Sequence, residues 1–288
     1  MLIVDQVEHL RALSHLPEHD WLDLLKMTWK DYFLFRAGQK ELSESQISQL
    51  GNFFRFEGEE FIENGLDYQG VVENLASTNR FGNPLPEKYT KAAHARCRTP
   101  STSFDFLERK FGWRLKYDVL ERFGLREEQF LNPFAPISTK LMADMTNYLS
   151  SRHFKGADFF AMGAYSYDGN QMSLIASTLS SMSSEAELYS YTFHQLVHLY
   201  EANCTYQFNL LDENSGLLTI RSIPEIAAEM GVKYVGSVGT CAVKAGIFST
   251  LGCYIGKPPS NITHVTCEHK GGDACRFHID FSSARKRA

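Results

Sequence analysis

At 288 residues the chain is long enough for one large domain or two modest ones, with a sizeable core either way. Hydrophobic residues at 43 % and charged residues at 22 % are ordinary for a globular protein, which excludes a disordered or fibrous chain. A net charge of −5 supplies no field that would recruit nucleic acid or an anionic membrane, so neither is an expected partner.

The start, "MLIVDQVEHLRAL", has no basic leader, and Asp5 and Glu8 interrupt its apolar run, so no signal peptide is expected. No window approaches the roughly 18–20 uncharged apolar residues of a membrane span. A cytoplasmic location follows as the expectation. The basic run Ala284–Arg287 reads as a solvated tail.

Residues 1–135 read as a helical N-terminal region of unknown role. The stretch 20–35, "DWLDLLKMTWKDYFLF", is amphipathic at mixed three- and four-residue spacing. A helix over 43–65 opens with a capping box, Ser43 followed by Gln46, and ends at Gly65. A third helix is expected over 67–78. Residues 79–103 are rich in Pro, Gly and polar side chains and read as a loop or seam. Short helices around 104–111 and 116–123 precede a second break at "LNPFAPIS".

Residues 136–288 form the second expected unit. A helix over 139–152 is followed by a predicted β-hairpin, 157–166 and 171–180, turning at Asp168-Gly169. Ser184 and Glu187 cap a helix over 185–202. A second hairpin spans 206–223, then come helices over 224–231 and 237–255, the latter carrying Gly246 and Gly252 at close-packing spacing. A last hairpin turns at "HKGGDA". The fold class expected is α+β.

Six cysteines in a reducing compartment argue for metal ligands or buried thiols rather than disulfides. Cys97 and Cys204 stand alone, whereas Cys241, Cys253, Cys267 and Cys275 fall within 35 residues. Cys267 and Cys275 flank a Gly-Gly turn, which brings both thiols onto neighbouring strands. His264 precedes Cys267 by three residues and Cys241 lies on the preceding helix. Together, Cys241, His264, Cys267 and Cys275 could complete a closed Cys₃His sphere of the structural zinc type. The alternative is that each cysteine is a small buried hydrophobe.

The segment from Cys241 to Phe281 resembles the end of the 4-vinyl reductase (V4R) domain family, whose pattern is a Cys- and Gly-bearing helix followed by E-x-x-C-x₄-G-x₂-C-x-F. Here "HVTCEHKGGDACRF" places Cys267, Gly272, Cys275 and Phe277 in register, with His264 where the family has an acidic residue. Glu268 or His269 could substitute as ligands, and Cys253 matches nothing. The resemblance implies one structural zinc and a ligand pocket like that of phenol-responsive sensors. By the same resemblance His194, and with it His198 one helical turn on in "HQLVH", would face the ligand. On their own residues these are equally two histidines on a helix surface, and Gln195 in place of glutamate argues against a metalloprotease.

"YLSSR", 148–152, fits the Tyr-x-Ser-x-Arg pattern by which haem-nitric-oxide-binding domains grip haem propionates, but His94 is the sole nearby upstream histidine. No phosphate loop, nucleotide fingerprint or catalytic triad stands out. The expectation is therefore a non-enzymatic sensor of a small hydrophobic ligand, aromatic ones included. Its output would pass to a separate protein, and a homodimer is expected. An enzyme or accessory acting on a bulky hydrophobic substrate, or a scaffold, are the alternatives.

Overall fold

The computed structural model describes residues 3–58, 61, 70–71 and 85–281, apart from 15, 17, 131 and 172. The N-terminal helices are α1 (Ile3–Ser14), α2 (Glu18–Leu25), α3 (Trp29–Arg36) and α4 (Glu44–Phe54). The single amphipathic stretch over 20–35 is thus two helices. Lys26 turns left-handed at φ 48°, and Thr28 starts α3 by accepting at its Oγ1 from the Asp31 amide at 3.2 Å. The capping box of α4 forms as expected, with the Ser43 amide donating to Gln46 Oε1 at 2.8 Å. This helix ends earlier than Gly65, because Arg55 turns left-handed at φ 60°. The helix expected over 67–78 lies, except for residues 70–71, outside the described residues. Trp21, Leu25, Tyr32, Phe35, Leu50 and Phe54 form the buried interior of this helical layer.

Next, β1 (Ala95–Arg96) pairs antiparallel with β2 (Pro136–Ile137), bracketing α5 (Arg98–Phe111) and α6 (Trp113–Phe123). The seam expected over 79–103 therefore already contains a strand and the first turn of α5. α7 (Lys140–Ser151) follows where a helix was predicted.

The predicted hairpin over 157–180 is helical instead: α8 (Gly156–Ala164), α9 (Ser166–Asn170) and α10 (Leu174–Ser180). Local capping favours this. The Lys155 amide donates to Asp158 Oδ2 at 2.8 Å, and Ser173 caps α10 by accepting from the Ala176 amide. The Asp168-Gly169 pair sits inside α9.

α11 (Glu185–Tyr191) continues through a π-helical turn (Thr192–Leu196) into α12 (Val197–Tyr200), close to the predicted 185–202. The four-stranded sheet is antiparallel throughout, in the order β3–β4–β6–β5. It is built from β3 (Cys204–Asp212), β4 (Ser215–Ser222), β5 (Asn261–Thr266) and β6 (Cys275–Asp280). Both predicted hairpins of this region are therefore present. Alternation puts Cys204, Tyr206 and Phe208 of β3 and Cys275, Phe277 and Ile279 of β6 inward, in one cluster with residues of α11 and of the helix over 238–249. α13 (Pro224–Glu229) and α14 (Val238–Ser249) connect the two hairpins, as expected.

Val238–Ile255 is long and apolar enough by length and composition to cross a membrane, but 56 % of it is buried inside the fold. It is the core helix and its short continuation. Each face of α14 belongs to a different cluster: Val243 packs with α5–α8, while Cys241, Ala245 and Phe248 pack with the sheet.

Candidate functional site

Two features stand out, a partly open cavity and a thiol–imidazole cluster. The cavity, about 140 Å³, lies between the start of α5, the α11–α12 helix and α14. Its apolar wall comes from Leu179, Phe193, Leu196, Val197, Phe248 and Leu251. The π turn sets which residues of the long helix face it: Thr192, Phe193, Leu196, Val197 and Tyr200 line the cavity. An extra residue per turn rotates the following helix face, and such turns recur at binding sites.

Arg98 opens α5 and lines the same cavity at 6 % exposure. Its Nε, Nη1 and Nη2 atoms have no hydrogen-bond partner among the described residues. The guanidinium lies over the Phe134 ring at 5.7 Å and the Tyr200 ring at 6.0 Å. Burial pulls its pKa down from the ordinary arginine value. A buried charge without a counter-ion costs several kcal/mol, and cation–π contacts return about 2. Arg98 is thus an uncompensated cation at an apolar wall. Thr192 Oγ1, in the same lining, is also buried without a partner. The other cations of the lining are engaged. Lys244 Nζ donates to Glu201 Oε1 at 2.7 Å and to Tyr206 Oη at 3.0 Å, and Arg96 Nε donates to the Leu199 carbonyl at 3.3 Å.

The second feature joins α14 to the β5–β6 hairpin. Cys241 Sγ lies 3.5 Å from Cys275 Sγ and 4.0 Å from Cys267 Sγ, and Cys267 and Cys275 are 4.0 Å apart. With the imidazole of His264, all four donor atoms fall within 4.8 Å of one another. Thiolates about 2.3 Å from one tetrahedral ion have sulfurs about 3.8 Å apart, so this spacing suits a shared ion. His264 stacks on Phe277 at 4.3 Å, and its buried Nε2 makes no hydrogen bond.

The local chain explains the convergence. A bulge between His264 and Thr266 leaves Val265 exposed and shifts β5 by one residue against β6 just before Cys267. The Cys267 carbonyl accepts from the Lys270 and Gly272 amides at 3.0 and 2.9 Å, closing the turn through Gly271 at φ 91°. The hydrogen-bonding contact with the Cys241 thiol, against burial, holds the Cys275 pKa well below the ordinary thiol value. Cys241 itself is pushed far up by the same contact and by burial.

The predicted residues divide cleanly. Cys241, His264, Cys267 and Cys275 meet at one point. Glu268 is turned away, accepting from the Ser222 hydroxyl at 2.7 Å, and His269 faces the Tyr234 ring, so neither substitutes as a donor. His194 and His198 do not line the cavity. His194 Nδ1 contacts the Ser190 hydroxyl at 3.2 Å, and His198 meets the Tyr206 ring edge-on. Arg98 was missed because nothing in "ARCRTPSTS" marks a buried cation.

Tyr148 and Arg152 are also accounted for away from the cavity. Tyr148 Oη donates to Asp118 Oδ2 at 2.7 Å, and Arg152 Nη2 donates to the same oxygen at 2.9 Å. No described lining residue of the cavity is a histidine, and the space suits about one ring. The residues present do not fit a haem in this cavity.

No family model matches the chain, V4R included. No curated protein matches it. Solved H-NOX structures do. An H-NOX protein from S. oneidensis in the Fe(II)NO ligation state is 14 % identical with a TM-score of 0.49, covering 64 % of this chain and 98 % of that one. The Fe(II) unliganded H-NOX protein from K. algicida gives 11 % and 0.47, covering 64 % and 95 %. Likeness at this level concerns fold and carries nothing about ligands. It does correct the V4R expectation: the matching structures are H-NOX proteins. The structural zinc expected from that resemblance is withdrawn with it, since no family model supports the resemblance. The convergence of the four side chains is independent of that resemblance and stands.

Proposed function

We propose that the chain is a non-enzymatic sensory module that binds a small, largely apolar molecule in the cavity between α5, α11–α12 and α14. The observation that carries this reading is an apolar cavity walled by a helix with a π turn and holding an uncompensated cation. A cavity of similar volume lined by aliphatic and aromatic side chains is known to take up one benzene-sized molecule. Tyr200 supports a route outward, because it lines the cavity and packs at 6.3 Å on Phe134 of the N-terminal helical layer. Output is proposed to pass to a separate protein or through a homodimer, in the cytosol. Ultracentrifugation with and without ligand checks the dimer.

Native mass spectrometry of the purified chain should show a retained organic molecule. Alternatively, the melting temperature should rise in a screen of single-ring and short-chain compounds. Saturation to about a hundred times Kd adds about 2.7 kcal/mol to stability. Val197→Phe, which fills the wall, should lower affinity at least tenfold while the chain still melts cooperatively. Unchanged affinity in that variant would place binding elsewhere. Turnover of a bound compound would favour the enzyme alternative, and a cavity that takes up nothing would favour the scaffold.

A second reading rests on a separate observation, three clustered sulfurs with the His264 imidazole beside them. We propose that Cys241, His264, Cys267 and Cys275 hold one thiophilic metal ion that ties α14 to the last hairpin. Elemental analysis of chain purified without chelator identifies the ion. Cys275→Ser should remove at least nine-tenths of the metal and lower the melting temperature by roughly 10 °C, since binding is coupled to folding. Wild-type protein that takes up no metal under reducing conditions would sink this assignment.

A further inference from the structure

The geometry points to a small monocarboxylate as the ligand of the cavity, with its carboxylate paired to Arg98 and its apolar body against Leu196, Val197 and Phe248. This rests on the sensory reading above and deepens it by naming the ligand's chemistry.

The lining holds three cations, Arg96, Arg98 and Lys244, against one carboxylate, Glu201. Lys244 and Glu201 pair with each other, and Arg96 is only half-buried and already donates to a carbonyl. Among the described residues Arg98 is therefore the lining cation with neither a counter-charge nor a hydrogen bond, and it is the more deeply buried of the two arginines there. Native structures rarely leave such a group unsatisfied without a functional reason. A guanidinium presents a planar fork matched to the two oxygens of a carboxylate. Arg96 also keeps its charge but is half-exposed and so solvated; the single deeply buried free charge, on Arg98, calls for one negative charge, which favours a monoanion over a phosphate monoester. Thr192 supplies a further unpartnered hydroxyl in the same wall, able to donate to a ligand oxygen. The volume of about 140 Å³ restricts the body to roughly one aromatic ring or a short aliphatic chain.

Arg98 also connects the site to the rest of the fold. Its guanidinium lies over Phe134 and Tyr200, the pair that joins the N-terminal helical layer to the cavity. A carboxylate that draws the guanidinium inward would weaken those contacts, and occupancy would be felt by α1–α4.

The test is calorimetric titration of the full chain with benzoate, phenylacetate and hexanoate. Benzyl alcohol, benzamide and hexanol serve as uncharged counterparts. At least one acid should bind ten times or more tightly than its neutral counterpart, because charge-assisted bidentate pairs are about twice as strong as neutral ones. Affinity should follow the ligand's own ionisation and weaken about tenfold per pH unit below its pKa.

Arg98→Met should abolish the preference for acids and, without ligand, melt no lower than wild type, because it removes an unpaired buried charge. Arg98→Lys, which keeps the charge but loses the fork, should retain part of the preference. Neutral compounds that bind as tightly as their acids, and are lost in Val197→Phe, would overturn the carboxylate while leaving the sensory reading intact. Failure of every compound would overturn both. An Arg98→Met chain that melts well below wild type would show that Arg98 serves the fold, and would also overturn the proposal.

Discussion

Gly246→Ala should destabilise the folded chain by a large fraction of its stability. α8 and α14 touch backbone to backbone through a pair of glycines. A Cβ at Gly246 would fall 2.0 Å from the Phe160 carbonyl oxygen and 2.7 Å from the Ala164 nitrogen. One at Gly163 would fall 1.9 Å from the Val243 carbonyl oxygen. Neither contact involves a flexible side chain that could swing aside, so the two helices must separate. Overpacking a core commonly costs about 1–3 kcal/mol, and a forced shift of two helix axes belongs at or above the top of that range. The better helix propensity of alanine returns about 1 kcal/mol. We expect a net loss of roughly 3 kcal/mol or more, read as a fall in the urea midpoint at unchanged m-value. Gly156→Ala is the control: the glycine sits in the first turn of α8 with nothing within 4 Å of the added carbon, and stability should hold or rise slightly. If Gly246→Ala unfolds at the same urea concentration as wild type, the α8–α14 contact is not as close as described.

The same glycine pair explains where sequence reading succeeds and where it stops. Gly246 was legible as a close-packing residue because it sits in an apolar helical stretch. Its partner Gly163 lies in 157–166, a stretch whose pattern predicts a strand. "FFAMGAYS" and "SLIASTLS" are short apolar runs, and such runs carry no period that separates a buried helix from a buried strand. The Asp-Gly pair between them then tipped the reading towards a hairpin. What settles the matter is tertiary: α8 gains its stability by lying on α14, a contact roughly 80 residues away that no local pattern records. Locally, Asp158 accepts from the Lys155 amide at the start of α8, and with lysine at the N-cap position the sequence carries no recognisable helix-start signature.

The thiol–imidazole cluster was legible for the opposite reason. Cys267 and Cys275 are brought together by a local turn, and Cys241 lies on the adjoining helix, so few topologies could keep them apart. The cavity was not legible. Its walls come from residues 96–102, 166–206 and 244–254, and Arg98 is distinguished by what it lacks, a partner, rather than by any motif. His194 and His198 do not line this cavity, because the π turn decides which face of the long helix meets it. A π turn has no sequence signature on which to draw.

Lys244→Met should cost about 3–5 kcal/mol, the range for breaking one side of a buried ion pair. Lys244 and Glu201 are 16 % and 18 % exposed, close at 2.7 Å, and both line the cavity, with Tyr206 Oη as a further partner of the ammonium. Removing the cation leaves Glu201 as a largely buried carboxylate with no counter-charge. The double variant Lys244→Met, Glu201→Leu should recover most of the loss, because two apolar side chains of similar size replace a desolvated pair at little net change. Burial opposes the Lys244 charge, yet Glu201 and its other neighbours more than offset it, and the pKa stands well above the ordinary lysine value. The folded pKa thus exceeds the unfolded one near 10.4, so the stabilisation linked to Lys244's charge is present at neutral pH and is lost as pH rises through strongly alkaline values. The single variant also separates stability from recognition. With Lys244 gone, Glu201 places an unneutralised negative charge in the cavity wall, and binding of an anionic ligand should weaken at least tenfold. Restoration of that binding in the double variant, with Arg98 untouched, is the expected result. Equal affinity in wild type and Lys244→Met would mean that the bound group carries no negative charge.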